Sequence, residues 1–266
     1  MKLRIQKLLA NAGVASRRNV EEMIRQRRVA VNGKIVVDLP ILVDPAEDKI
    51  DVDGEHVKLA AQRGGPRIYI LLNKPKHVYS TNVAQGEQTR AIDLLPPNLP
   101  GRVYPVGRLD AESKGLLLLT NDGELTHRLT HPRYGVAKTY RAVVDGFVEG
   151  RTIQALAKGM WLANPREGGG IKTGSSHVTI VNRSRSATIL DITIREVRNQ
   201  QIRQMLARLG HKVRDLTRVR MGPLTLHGLS PGQFRNLTAR EIHQLQALAR
   251  PRPLGNAPHP KDAGKN

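Results

Sequence analysis

No cysteine occurs anywhere in the 266 residues. Disulfide frameworks, thiolate nucleophiles and Cys-based zinc or iron–sulfur sites are thereby excluded. Aromatic residues are nearly as scarce, with one Trp, five Tyr and two Phe, so each ring carries weight as a stacking candidate. No apolar run approaches a membrane span, and the longest useful one, Gly115–Leu119, suits a buried strand. The opening residues, Met1-Lys2-Leu3-Arg4-Ile5-Gln6-Lys7, lack the apolar stretch of a secretory signal, so the cytosol is the expected place of work. Acidic charge is short too. Asp and Glu number 23 against 43 Lys and Arg, a net charge of +20 at pH 7. That excess points to a polyanionic partner, with nucleic acid the first expectation, though charge alone does not choose among DNA, RNA and an anionic membrane. An apolar fraction of 39% is enough for a packed core and argues against wholesale disorder.

The first segment is polarised in charge. Leu3, Ile5, Leu8 and Leu9 have helical spacing over 3–12, and Ala12-Gly13 ends that helix. Ser16 is placed to cap a second helix over 17–27, with Val20, Met23 and Ile24 on one face. Asn32-Gly33 between Arg28–Val31 and Lys34–Val37 is a strong hairpin signal. Arg17, Arg18, Arg25, Arg27 and Arg28 cluster around the second helix, which favours RNA docking over a merely solvated face. Arg4–Ala10, Gly13, Ala15-Ser16-Arg17-Arg18, Ile24 and Arg28–Gly33 together resemble the S4 RNA-binding domain, over residues 1–58. The resemblance implies a ligand class and no reaction.

Residues 59–66 end in Gly-Gly-Pro and read as a linker. The second domain spans 67–250. Strands are predicted over 68–72, 116–120, 139–144, 178–181, 187–195 and 213–220, and helices over 123–130, 151–158, 200–209 and 239–249. Thr238-Ala239-Arg240-Glu241 forms a capping box for the last. Strands and helices do not alternate regularly, which predicts an α+β fold with a mixed, largely antiparallel sheet. Residues 251–266 are Pro-, Gly- and Lys-rich and are expected to be a disordered basic tail.

Three tempting motifs are weak. His127 and His131 have i,i+4 spacing, but no Glu follows His127 and Pro132 follows His131, so a surface role outweighs a metal site. Gly168-Gly169-Gly170-Ile171-Lys172-Thr173 departs from a phosphate loop and reads as a mobile loop. Gly228-Leu229-Ser230-Pro231-Gly232 has the letters of a nucleophile elbow, yet Ser-Pro-Gly is a turn and no helix starts at once.

The segment Gly107-Arg108-Leu109-Asp110, followed by Gly115–Thr120 and Asn121-Asp122-Gly123, puts a carboxylate on a loop at the edge of a very apolar strand. By itself such an Asp caps a turn or balances Arg108. In combination, this segment is similar to the central motif of the RsuA/RluB family of pseudouridine synthases. Asn73-Lys74-Pro75-Lys76 precedes it. His131-Pro132, Lys138-Thr139-Tyr140, Arg198–Arg203 and Arg218–Leu224 follow in the family's order, and the resemblance reaches to about residue 240.

That resemblance implies isomerisation of one uridine in a structured rRNA stem-loop, expected in large-subunit rRNA, with no cofactor, ATP or metal. Asp110 maps to the catalytic carboxylate, acting at ribose C1′, at uracil C6 or as a base on the sugar. Burial raises an Asp pKa and a nearby guanidinium lowers it; the resemblance implies that Gln201-Ile202-Arg203 supplies that guanidinium, with Arg203 the expected ion-pair partner of Asp110. Tyr140 maps to the active-site tyrosine, stacking on the extruded base. Arg108 maps to a residue that fills the vacated stack or holds phosphate. Lys74, Lys138, Arg198 and Gln201 are expected at the substrate, with Arg17, Arg18 and Arg28 on the S4 surface. The basic stretch Arg195–Arg220 is expected to track RNA backbone. The alternative is a non-catalytic S4-type RNA-binding or ribosome-assembly factor, which leaves the joint match of Asp110, Tyr140 and Arg203 without a reason. An S4 protein with methyl-transfer chemistry would need a cofactor-binding glycine loop, and no convincing one is present. Nothing in the sequence demands more than a monomer, and the target nucleotide is not legible in it.

Overall fold

The computed structural model describes residues 2–57, 66–163, 169–196 and 200–248. Linker residues 59–65 and the expected tail at 251–266 lie outside the described residues. The chain divides into two compact units, 1–67 with 100–102, and 68–99 with 103–266.

The first unit contains β1 (Leu3–Arg4), α1 (Ile5–Asn11), α2 (Arg17–Arg25), β2 (Val29–Val31), β3 (Lys34–Ile35), β4 (Leu42–Val43), β5 (Ile50–Val52) and β6 (Glu55–His56). Ser16 caps α2, its Oγ accepting from Asn19 N at 3.2 Å. Asn32 and Gly33 both have positive φ, 51° and 77°, which is what a two-residue hairpin turn between β2 and β3 requires. Ile5 and Leu9 of α1, Val20 and Ile24 of α2, and Val29, Val43 and Ile50 from the strands close one small core. Helical spacing in one half and alternation in the other turn these residues to the same side.

The second unit contains β7 (Tyr69–Lys74), β8 (Tyr104–Pro105), β9 (Lys114–Thr120), α3 (Gly123–Thr130), β10 (Lys138–Asp145), α4 (Gly150–Lys158), β11 (Trp161–Ala163), β12 (Gly170–Lys172), β13 (His177–Arg183), β14 (Ala187–Ile194), α5 (Gln201–Arg208), β15 (Val213–Met221), β16 (Leu224–Thr225), β17 (Phe234–Asn236) and α6 (Ala239–Leu248). Its main sheet runs β13-β14-β10-β15-β9-β7-β17, with β16 and β8 attached at its sides. Every pairing in it is antiparallel except β15 with β9. The fold is α+β, as the irregular order of strand and helix signals implies.

β7 and β9 are buried on both faces, which is why they are apolar without alternation. Ile70, Leu72, Leu117 and Leu119 face α4 and α5 through Leu156, Ile202, Met205 and Leu206. Tyr69, Leu71, Leu116 and Leu118 face α3 and α6 through Leu125, Leu129 and Leu245. The capping box of α6 is formed, with Glu241 accepting from Thr238 N at 2.9 Å and Thr238 Oγ1 accepting from Glu241 N at 3.2 Å.

Two loop expectations resolve differently. Gly170–Lys172 is strand β12, because it finds β11 as an antiparallel partner, while Gly168 lies outside the described residues. Gly228–Gly232 is the expected turn. Gly228 and Gly232 have φ of 69° and 83°, and Gly232 N donates to Asn73 O.

Candidate active site

The site is built where β15 and β9 run side by side. Their two-residue parallel contact, Thr217 with Lys114 and Arg218 with Gly115, demands close backbone approach. Gly115 permits it. A Cβ there would stand 2.4 Å from Arg218 O, and its φ of +105° is one that side-chain-bearing residues rarely adopt. The loop ahead of β9 carries Asp110.

That loop is fixed by backbone and hydroxyl bonds. Ser80 Oγ donates to Leu109 O at 3.0 Å and accepts from Leu109 N at 3.1 Å. His77 N donates to Ala111 O at 2.8 Å, and Ser113 N donates to Asp110 O at 3.0 Å. Asp110 is half-buried and lines a hollow of about 410 Å³ together with Lys76, Ala111, Glu112, Gln200, Arg203, Val213 and Arg214.

Charge in the hollow is largely committed. Lys76 pairs with Asp215 at 2.9 Å, Glu112 with His77 at 3.2 Å, and Arg214 with Asp145. Lys114 is a second partner of Asp215, at 2.8 Å. Burial alone would push the Asp215 carboxyl up, but Lys114 and Lys76 together hold it below the usual range. Asp110 makes no ion pair or side-chain hydrogen bond among the described residues. The hollow therefore holds one uncommitted carboxylate on a pinned loop. Such a group can attack an electrophilic carbon, stabilise developing positive charge or take a proton.

The expected Asp110–Arg203 ion pair is not formed. The two residues line the same hollow, but the Arg203 guanidinium is held by carbonyls, Nη1 donating to Val213 O at 3.2 Å and Nη2 to Glu112 O at 3.3 Å. The cation that Asp110 acts on is Lys74. That side chain is fully buried, with Nζ donating to Val78 O at 2.8 Å, Pro75 O at 2.9 Å and Ala111 O at 3.5 Å. Burial lowers the Lys74 pKa to about 8, while the Asp110 charge pulls the other way.

The other expected contact residues are placed as follows. Lys74 cannot meet RNA where it stands, since it is enclosed and its donors are spent. Lys138 is likewise 6% exposed, Nζ donating to Leu129 O and Val136 O, and burial lowers its pKa to about 8. Gln201 is 3% exposed at the start of α5, within 3.5 Å of Glu196. Tyr140 is 5% exposed on the core side of β10, opposite Arg218 and Ile192, and is no part of the hollow's wall. Arg218, expected with its neighbours to track RNA, is 1% exposed and donates Nε to Leu116 O at 2.7 Å. Arg108 is exposed and absent from the wall. Arg198 lies outside the described residues.

In the first unit, Arg17 and Arg18 are exposed at the start of α2 with no ion pair or side-chain hydrogen bond among the described residues. Arg28 is committed instead, gripping Asp53 through Nε and Nη2, both at 2.7 Å. His127, His131 and Tyr134 form an exposed ring cluster, and among the described residues no group of His, Asp and Glu could hold a metal ion. Sequence reasoning gave no role to Ser80, His77 or Asp215. Ser80 lies 29 residues from Leu109, and only the fold makes them neighbours.

Comparison with known proteins agrees with this architecture. Residues 68–208 match the family model described as RNA pseudouridylate synthase, and residues 3–50 match the S4 domain. A protein of Aquifex aeolicus (strain VF5) named as an uncharacterized RNA pseudouridine synthase is 42% identical over 92% of this chain and 94% of its own. Ribosomal large subunit pseudouridine synthase B of Bacillus subtilis (strain 168) is 41% identical over 92% of this chain and 96% of its own. A solved pseudouridylate synthase, 31% identical, superposes with a TM-score of 0.64 over 91% of this chain and 99% of its own.

Proposed function

Because this chain belongs to the RNA pseudouridylate synthase family and carries an S4 domain, we propose that it converts one uridine of large-subunit rRNA to pseudouridine, with Asp110 as the catalytic carboxylate. The observation that carries the assignment is the uncommitted carboxylate in the hollow, on a loop pinned at Leu109, Asp110 and Ala111. Its Bacillus subtilis relative, a large-subunit enzyme by name, supports the choice of rRNA.

The uridine must leave its stack to reach Asp110, at a cost of a few kcal/mol that is least in a loop or bulge. The N1–C1′ bond breaks, the uracil turns, and a C5–C1′ bond forms. N1 gains a proton and C5 gives one up, so the isomerisation balances without a co-reactant. Asp110 serves this course at C1′, at C6 or as a base. The Asp110 charge acts through space on the buried Lys74 ammonium, opposing the loss of its proton that burial favours. Arg203, fixed by the carbonyls of Val213 and Glu112 in the wall of the same hollow, is a positioning residue that brings positive charge to the nucleotide.

Asp110→Asn preserves shape and removes the charge. The expected result is loss of all pseudouridine formation with RNA affinity within about threefold of wild type, read by chemical mapping of rRNA and by fluorescence anisotropy. Full activity in this variant would overturn the assignment. Mapping rRNA from cells with and without the protein identifies the uridine, and a missing mark in small-subunit rRNA alone would refute the large-subunit reading.

A further inference from the structure

Arg203 separates two hollows. On one side lies the Asp110 hollow. On the other, an open hollow of about 400 Å³ lies along α5 and the start of β15, lined by Arg203, Ala207, Gly210, His211, Lys212 and Val213. Arg203 and Val213 belong to both walls. The two differ in charge: Asp110 and Glu112 line the first, whereas no acid lines the second.

The second hollow has the parts that a nucleotide needs. Ala207 and Gly210 leave a low floor, and nothing stands within 4 Å of where a Gly210 Cβ would be. His211 gives a ring at the edge, held by Nδ1 donating to Asp145 O at 3.2 Å. Lys212 is exposed, and its ammonium has no ion-pair or hydrogen-bond partner among the described residues. A planar anion fits this set, its flat part on the floor beside the ring and its charge at Arg203 and Lys212. Because the two hollows share Arg203 and Val213, a strand with one nucleotide in the first can lay its neighbour in the second.

We propose that this hollow is a subsite for the nucleotide adjoining the extruded uridine. Its phosphate is gripped by Arg203 and Lys212, and its base lies against His211 and the Ala207–Gly210 floor. The inference rests on the reading of the chain as an rRNA pseudouridine synthase with its reaction at Asp110.

The test pairs a change in the protein with a change in the RNA. Ala207→Trp fills the hollow from an exposed helix position, and Lys212→Ala removes the free cation. Each full-length variant is titrated against the rRNA hairpin that wild type modifies, and against the same hairpin with an abasic residue immediately 5′ or 3′ of the target. Ala207→Trp is expected to weaken binding of the intact hairpin about tenfold. One of the two abasic hairpins should erase that difference. Lys212→Ala is expected to reduce the salt dependence by about one ion. Overturning results are variants that bind within twofold of wild type, or an Ala207→Trp loss of the same size on all three hairpins. If wild type modifies no rRNA hairpin, the parent reading fails and the subsite with it. If it does modify one and no coupling is found, the subsite alone fails.

Discussion

Lys138 offers the sharpest separation between a residue that touches RNA and one that holds the fold. Its ammonium sits inside the second unit on two carbonyls, and burial, with Arg218 adding repulsion, brings its pKa from 10.5 to about 8. The unfolded chain binds that proton more tightly, so stability is lost below about pH 8 and regained as pH rises towards 10.5. The gap corresponds to about 3 kcal/mol at pH 7. Lys138→Met removes this penalty but leaves the carbonyls of Leu129 and Val136 without a donor, at about 1 kcal/mol each. The variant should therefore be about as stable as wild type at pH 7, or up to about 1 kcal/mol more stable. Between pH 7 and 9.5 wild type should gain about 2 kcal/mol relative to the variant. Urea unfolding followed through Trp161, the chain's one Trp and a member of the second unit, reads this directly. RNA affinity should be unchanged. A stability difference that does not move with pH refutes the buried cation, and an affinity loss of more than about threefold refutes its confinement to the core.

Gly115→Ala should cost more than about 3 kcal/mol, since the added methyl meets backbone rather than a movable side chain and the φ of +105° disfavours it; a thermal midpoint within about two degrees of wild type would contradict that. Replacing Arg17 and Arg18 with Ala should weaken rRNA binding and lower its salt dependence by about two ions. The same change should stabilise α2 by a few tenths of a kcal/mol, because two cations leave a helix N-terminus. Unchanged affinity would show that they are only a solvated face.

The elements were legible where one local rule was enough. Gly115–Leu119 reads as a strand because its length and apolarity leave no other place for it, and Asn32-Gly33 reads as a turn because both residues tolerate positive φ. Asp110 was legible only through its motif. What holds it was not, because Ser80, His77 and Lys74 reach its loop through sheet pairing and long loops. The error over Lys138 was avoidable in part. Lys138, Tyr140, Ala142 and Val144 fall on one file of β10, and the alternation that buries the last three also buries the first. The Arg203 pairing was beyond reach, since a guanidinium among carbonyls and acids gives no sign in sequence of which it will choose.

The excess of positive charge thus has two physical destinations. Arg17, Arg18 and Lys212 are exposed, without ion-pair or side-chain hydrogen-bond partners among the described residues, and are available to phosphate. Lys74, Lys138 and Arg218 are enclosed where the sheet meets the Asp110 loop, and no buried acid among the described residues closes an ion pair with any of them. One nitrogen of Arg218, Nη2, has no hydrogen-bond partner among the described residues. Burying three cations this way costs stability that an apolar core would not lose. The arrangement becomes reasonable if its purpose lies outside the core. Arg218 repels the protons of Lys74 and Lys138, and Lys74 in turn faces Asp110. Lys74 is the buried cation coupled to the uncommitted carboxylate in the hollow, and it leaves the Asp110 oxygens unoccupied, which a closed Asp110–Arg203 pair would not have done.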